Sequence, residues 1–236
     1  MVGRGGTLYV FDTAVALGGL VATGAVGAIE LGMFEAIVAA VEERCAVRGA
    51  VSDDRWSTRW TPHMLKVVAP LRRYARATGD PRAMGVAARL LDDLAGRWET
   101  DLHGGGDFYT HAFCYALEGM LAAQAWRLGA WGDMLADSIE VLARLQRKDG
   151  LLPAFRSGGP GRADATAQAI RLWCATDKER YAGPIAKGIS ALAALDAGEG
   201  GLRYEPGSGD VNTWATVFAL QAEAWASGAP ELGDLW

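Results

Sequence analysis

The feature that most constrains this chain is a period. Apolar helical runs begin near residues 8, 62, 108, 163 and 211, and an amphipathic run follows each of the first four. A repeat of roughly fifty residues made of an apolar helix and a wet-faced one is a helical hairpin, which cannot bury its apolar helix alone. Hairpins stacked side by side can. Turn phrases recur at matching places: ALGGLVA at 16–22 resembles ALEGMLA at 116–122, and QRKDGLLPAF at 146–155 resembles DAGEGGLRY at 196–204. The second pair are glycine turns that return the chain from an outer helix to the next inner one.

Composition agrees with an all-α reading. Half of the 236 residues are hydrophobic, alanine and leucine sit at helical spacings, and β-branched alternation is scarce. The even spread of apolar residues predicts a single domain over 1–236. A net charge of −5 without a basic stripe excludes nucleic acid as a main partner. Cys45, Cys114 and Cys174 are odd in number and far apart, which fits buried thiols in a reducing compartment. With three histidines, no CxxC pair and no HExxH, no metal or other cofactor is expected. The apolar run from Thr13 to Ile29 is broken by Gly18, Gly19, Gly24 and Gly27 and is too short to span a bilayer, so no membrane association is expected. The opening MVGRGGTLYVFD lacks the pattern of a cleaved signal, and a cytoplasmic protein is the expectation.

Taken in order, residues 8–24 read as a helix buried all round and 30–46 as an amphipathic one. RGAVSDDRWSTRW at 48–60 reads as irregular. Thr61–Pro62 and Asp80–Pro81 each read as an N-cap followed by a proline that opens a helix, with Pro70 bending the first of these. LLPAFRSGGPGR at 151–162 reads as a loop, and a short acidic tail follows the final helix.

Two of the apolar helices carry polar stripes. Phe108 to Gln124 presents His111, Tyr115 and Glu118 at i, i+4 and i+7, and the helix beginning near Ala163 repeats that spacing with Asp164, Gln168 and Arg171. Glu118, about two turns into an apolar helix, is either a general acid or base or the partner of Arg171 in a structural bridge. Asp164 is either a second carboxylate or a helix N-cap. His111 and Tyr115 are either a base and acid that move protons or, respectively, a capping and a core residue. His63 is functional or a satisfied structural histidine. Asp210 or Asn212 caps the last helix, and Trp214 either stacks on a sugar or lies in the core.

The alternation of inner and outer helices, with those turn phrases, resembles the α/α-toroid superfamily. One branch of it holds six-hairpin glycosidases, polysaccharide lyases and sugar epimerases, and the other terpenoid cyclases and protein prenyltransferases. The resemblance implies an all-α, α/α-toroid fold, an incomplete or open barrel of about four and a half helical hairpins. Nine helices can be counted where a closed ring of six hairpins needs twelve, so the ring is open or shortened, or a homodimer or other partner completes it.

Toroids of this kind bind ligands at the funnel formed by inner-helix N-termini, which here collects Asp12, His63, Lys66, His111, Tyr115, Glu118, Arg162, Asp164, Gln168, Arg171, Tyr204, Asp210, Asn212 and Trp214. The expectation is a carbohydrate-active enzyme, a glycoside hydrolase or a polysaccharide lyase or epimerase. Glu118, Asp164, His111 and Tyr115 are its candidate catalytic residues. Arg171, Gln168, Asn212, Trp214, Tyr204, His63 and Lys66 would hold a small-molecule or oligosaccharide ligand. A terpenoid cyclase-like, isoprenoid-binding enzyme is the alternative. QRKDGLL is similar to the turn motif of triterpene cyclases but has Leu152 where tryptophan is expected, DxDD is absent, and Asp53–Asp54 and Asp92–Asp93 each lack the third acid of a diphosphate motif. A non-catalytic binding or assembly module is the third reading.

Overall fold

A computed structural model describes residues 6–24, 26–49, 55–103, 106–125, 132–198 and 200–228. Asp53–Asp54 and the acidic tail lie outside them. The chain divides into two compact units. The first holds residues 1–104 and 115–132; the second holds 105–114 and 133–235.

In the first unit the strands β1 (Leu8–Tyr9) and β2 (Val47–Arg48) pair antiparallel around the hairpin of α1 (Val10–Ala22) and α2 (Ala28–Glu43). Helix α2 stops at Arg44, which takes the left-handed conformation with φ of 53°. Next come a 3₁₀ turn at Trp56–Thr58, a 3₁₀ helix at Pro62–Val67, α3 (Val68–Thr78) and α4 (Arg82–His103). Helix α1 packs on both α2 and α3, and α3 on α4. Contrary to expectation, α1 is not buried all round, because Gly19 and Leu20 are exposed.

The proline-rich entry to α3 also departs from the expected single bent helix. An α-helix running from residue 62 through Pro70 would leave the Lys66 carbonyl without its donor and set the proline ring against it. The chain instead winds 62–67 as 3₁₀ and starts α3 at Val68, so Pro70 falls in a first turn, where no amide is needed. Thr61 does not cap, since its hydroxyl is paired with His63 Nδ1 at 2.7 Å. Asp80 behaves as expected: its carboxylate accepts the Arg82 amide at 2.9 Å.

Helix α5 (Thr110–Ala125) gives its first residues, through Cys114, to the second unit and the rest to the first. The second unit continues with α6 (Gly132–Leu145), β3 (Leu152–Phe155), β4 (Gly158–Arg162), α7 (Ala163–Asp177), α8 (Ala182–Ala193) and α9 (Thr213–Ala226). Helix α7 packs on α8 and α9, and every residue from Ala163 to Trp173 is buried, as an inner helix requires. Helix α6 buries only Leu135, Ser138, Ile139 and Leu142, one stripe at i, i+3, i+4 and i+7. Its three aliphatic members contribute roughly 1.5–3 kcal/mol each.

The segment 151–162, expected to be a loop, is an antiparallel hairpin with Leu152 opposite Arg162 and a bulge between Pro153 and Phe155. Helix α6 ends at Leu145, and the turn that follows closes at Gly150, which has φ of 89° and lies so close to Lys187 O that a side chain would collide with it.

The internal period is visible atom by atom. Leu152 N donates to Thr166 Oγ1 at 2.8 Å, and Thr166 Oγ1 donates to Arg162 O at 2.6 Å. Fifty residues on, Leu202 N donates to Thr216 Oγ1 at 2.9 Å and Thr216 Oγ1 to Asn212 O at 2.8 Å. Both glycine turns are thus tied to the first turn of the helix that follows by the same threonine.

Candidate active site

The hairpin β3–β4 delivers Arg162 to the N-cap position of α7, which makes Asp164 the second residue of the helix rather than its cap. Asp164 is 2% exposed. Its Oδ1 accepts the Ala165 amide at 2.8 Å and its Oδ2 accepts the Tyr204 hydroxyl at 2.8 Å, while His111 Nδ1 lies 3.3 Å from that same Oδ2. A carboxylate facing that nitrogen favours the tautomer with the proton on Nδ1, leaving Nε2 as the basic atom of the neutral ring.

Tyr204 is held by backbone bonds, donating its amide to Asp210 O and accepting the Ala163 amide. Its hydroxyl is 3.1 Å from that of Tyr109, to which Arg162 Nη2 also donates at 3.2 Å. The Arg162 guanidinium lies 3.4 Å from the centre of the Tyr204 ring and 3.6 Å from Glu205. Burial, with the Asp164 charge adding to it, pushes the Tyr109 phenol up to about 12. Tyr109 was missed in the sequence because the helix was placed from Phe108. It begins at Thr110, and Tyr109 is extended backbone bridged to Phe155.

Farther along α7, Gln168 is fully buried, and neither of its amide atoms has a hydrogen-bond partner among the described residues. Arg171 donates to Gln221 Oε1 at 2.7 Å and lies over the Phe218 ring at 5.1 Å. Asn212 is taken up in capping α9, where its Oδ1 accepts the Ala215 amide at 2.9 Å. Trp214 is not a core residue: it is 47% exposed and rests on Phe218 at 5.5 Å.

The other predicted residues form a second cluster, in the first unit. Lys66 Nζ and Glu118 Oε2 pair at 2.5 Å, both buried. Gly119 permits this pairing, since any side chain there would overlap the Leu65 carbonyl, so α5 and the 3₁₀ helix lie backbone to backbone. Tyr115 packs on Phe11 at 4.8 Å and Trp56 at 6.3 Å, and His63 on the same two rings at 5.7 and 5.0 Å. Of the aspartates considered for diphosphate, Asp93 accepts the Trp60 indole N–H at 2.6 Å and pairs with Arg44 at 3.2 Å. Among the described residues no group of three or more His, Cys, Asp or Glu side chains is placed to hold a metal, and no helix is long and apolar enough to cross a membrane.

No family model matches the sequence, and no curated protein matches it. Solved structures do. A polysaccharide lyase superposes with a TM-score of 0.62 at 11% identity, covering 94% of this chain and 74% of that one. A glycosyl hydrolase family 88 protein from Bacteroides vulgatus superposes with a TM-score of 0.60 at 12% identity, covering 91% and 73%. At such identities the likeness is one of fold alone, and that fold is the α/α toroid.

Proposed function

We propose that this protein is a carbohydrate-active enzyme whose acid–base centre is Asp164, with His111 and Tyr204 on it. The observation that carries the reading is the pairing of that centre with Gln168, one turn along the same helix, whose buried amide has no hydrogen-bond partner among the described residues. Buried amides are normally satisfied, and a ligand hydroxyl both donates and accepts, as a carboxamide requires. The names of the two structural neighbours support the same substrate class.

One carboxylate ringed by a phenol and an imidazole suits proton abstraction and return, as in elimination from or epimerisation of a uronic acid, more directly than hydrolysis by two carboxylates. Arg171 and Gln168 would hold the sugar, Tyr204 would supply a proton, and the exposed Trp214 would stack on a ring face. Asn212 would contribute its remaining amide hydrogens. Glu118, Tyr115, Lys66 and His63 stand as a separate proposed set within the first unit.

The test is an NMR titration with uronic acids, neutral oligosaccharides and an isoprenoid diphosphate, followed by turnover of whichever sugar binds. Shifts on α7 with a sugar, and a loss of about 10²–10⁴-fold in turnover for Asp164→Asn, are expected. Response to the diphosphate alone, or unchanged turnover in Asp164→Asn, would refute the assignment.

The reading includes a cytoplasmic setting, in keeping with three cysteines that form no disulfide. It also includes a homodimer, supported by the exposed apolar residues Val217 and Leu220 on α9. Sedimentation showing a monomer over a wide concentration range would remove the dimer.

A further inference from the structure

We infer that Tyr109 and Tyr204 form a two-phenol proton relay that connects Asp164 with solvent, and that Arg162 sets its direction. The inference rests on Asp164 being the acid–base centre proposed above. Its basis is a count of protons. Each phenol has one hydrogen to donate. Tyr204 gives its hydrogen to Asp164 Oδ2 at 2.8 Å, so in the 3.1 Å contact between the two phenols Tyr204 accepts and Tyr109 donates. Tyr109 in turn accepts from Arg162 Nη2 at 3.2 Å, and a guanidinium has only hydrogens to offer. The chain Arg162, Tyr109, Tyr204, Asp164 therefore points one way, towards the carboxylate, and His111 Nδ1 closes it from the far side at 3.3 Å.

The burial gradient follows the same line. Asp164 and His111 are 2% and 5% exposed, whereas Tyr109 and Tyr204 are half-buried. A proton taken up by Asp164 comes from Tyr204, whose oxygen receives the Tyr109 hydrogen, while the Tyr109 oxygen takes one from a solvent acid. Both phenols end neutral, Asp164 gains one proton and the solvent loses one. Because burial holds Tyr109 well above the ordinary phenol value, phenolate does not accumulate and the transfers run together. Arg162 does not exchange its proton; Arg162 and Glu205, 3.6 Å apart, keep the wet end oriented. Tyr109 carries a proton in this scheme, whereas Arg162, whose Nε lies 3.6 Å from Asp164 Oδ1, transfers none and is a positioning residue.

The test needs no sugar, so its failure and the failure of the functional proposal are distinguishable. In ¹⁵N-labelled protein, the rate at which the His111 Nδ1 hydrogen exchanges with water is measured, its signal identified by loss in His111→Gln. If that hydrogen leaves through Asp164 and the relay once Nε2 has taken a proton from water, Tyr109→Phe slows exchange several-fold, and Tyr204→Phe does the same. Loosened packing would do the opposite and speed it. Phe155→Leu, which disturbs the ring beside Tyr109 without removing a hydroxyl, leaves the rate unchanged. Unchanged or faster exchange in a folded Tyr109→Phe protein overturns the relay, as does slowing in Phe155→Leu.

Discussion

Two buried carboxylates of this protein, Glu118 in the first unit and Asp164 in the second, meet their charge in different ways. Glu118 faces a lysine ammonium 2.5 Å away, and that ammonium lies over the Tyr115 ring at 6.0 Å. Asp164 accepts from an amide and a phenol, with the His111 imidazole 3.3 Å and the Arg162 guanidinium 3.6 Å away, and the phenol and the imidazole can release or take a proton. A buried ion pair fixes geometry, and breaking it leaves an uncompensated charge; a carboxylate beside a phenol and an imidazole has proton carriers within reach. Burial, which the two share, gives neither a role; the identity of the partners is what differs, and it is the ground on which Asp164 is proposed as the working charge.

The largest effect that can break this comparison is on the ion pair. Lys66→Met leaves Glu118 buried without its ammonium and is expected to cost about 3–5 kcal/mol in urea unfolding, much of it recovered in the double variant Lys66→Met/Glu118→Leu. A loss below about 1 kcal/mol in the single variant would show that groups other than Lys66 hold the Glu118 charge and would break the contrast with Asp164. The Asp164→Asn change keeps shape and hydrogen-bonding oxygen, so its loss is expected in turnover rather than in folding.

The smallest effect is at alkaline pH. Tyr109 ionises near 12 in the folded protein and near the ordinary 10 when unfolded, so its contribution to stability is complete below pH 10 and is lost as pH rises from about 10 to about 12. Solvent screening of a half-buried phenol limits this to about 1 kcal/mol. Tyr109→Phe should flatten that part of the decline in unfolding free energy, leaving the contributions of Tyr74 and Tyr181, which burial also raises. An identical decline in both proteins would mean that Tyr109 is no drier than a surface tyrosine.

Much of the molecule was legible in the residues. Local spacing decides which helices are inner and which outer, because a stripe at i, i+3, i+4 and i+7, as in α6, buries one side whatever it packs against. The stripe Asp164, Gln168 and Arg171 is visible for the same reason, and all three are buried on α7. The repeated turn phrases correspond to one hydrogen-bond pattern, at Thr166 and again at Thr216. Side chains whose role depends on exposure, such as Trp214, were not legible, since a tryptophan in an apolar helix reads the same on either face.

Partnership across distant segments was decided only by the tertiary structure. Lys66 reaches Glu118 across fifty-two positions because Gly119 lets two backbones touch, and no spacing rule relates those residues. Tyr204 reaches Asp164 across forty because a loop backbone is pinned to Ala163 and Asp210. Tyr109 joins them because α5 starts one residue after it rather than before it. The sequence by itself determined periodicity, turns and the faces of helices, which depend on neighbours along the chain. Which donor meets which carboxylate depends on neighbours in space, and that the fold alone decided.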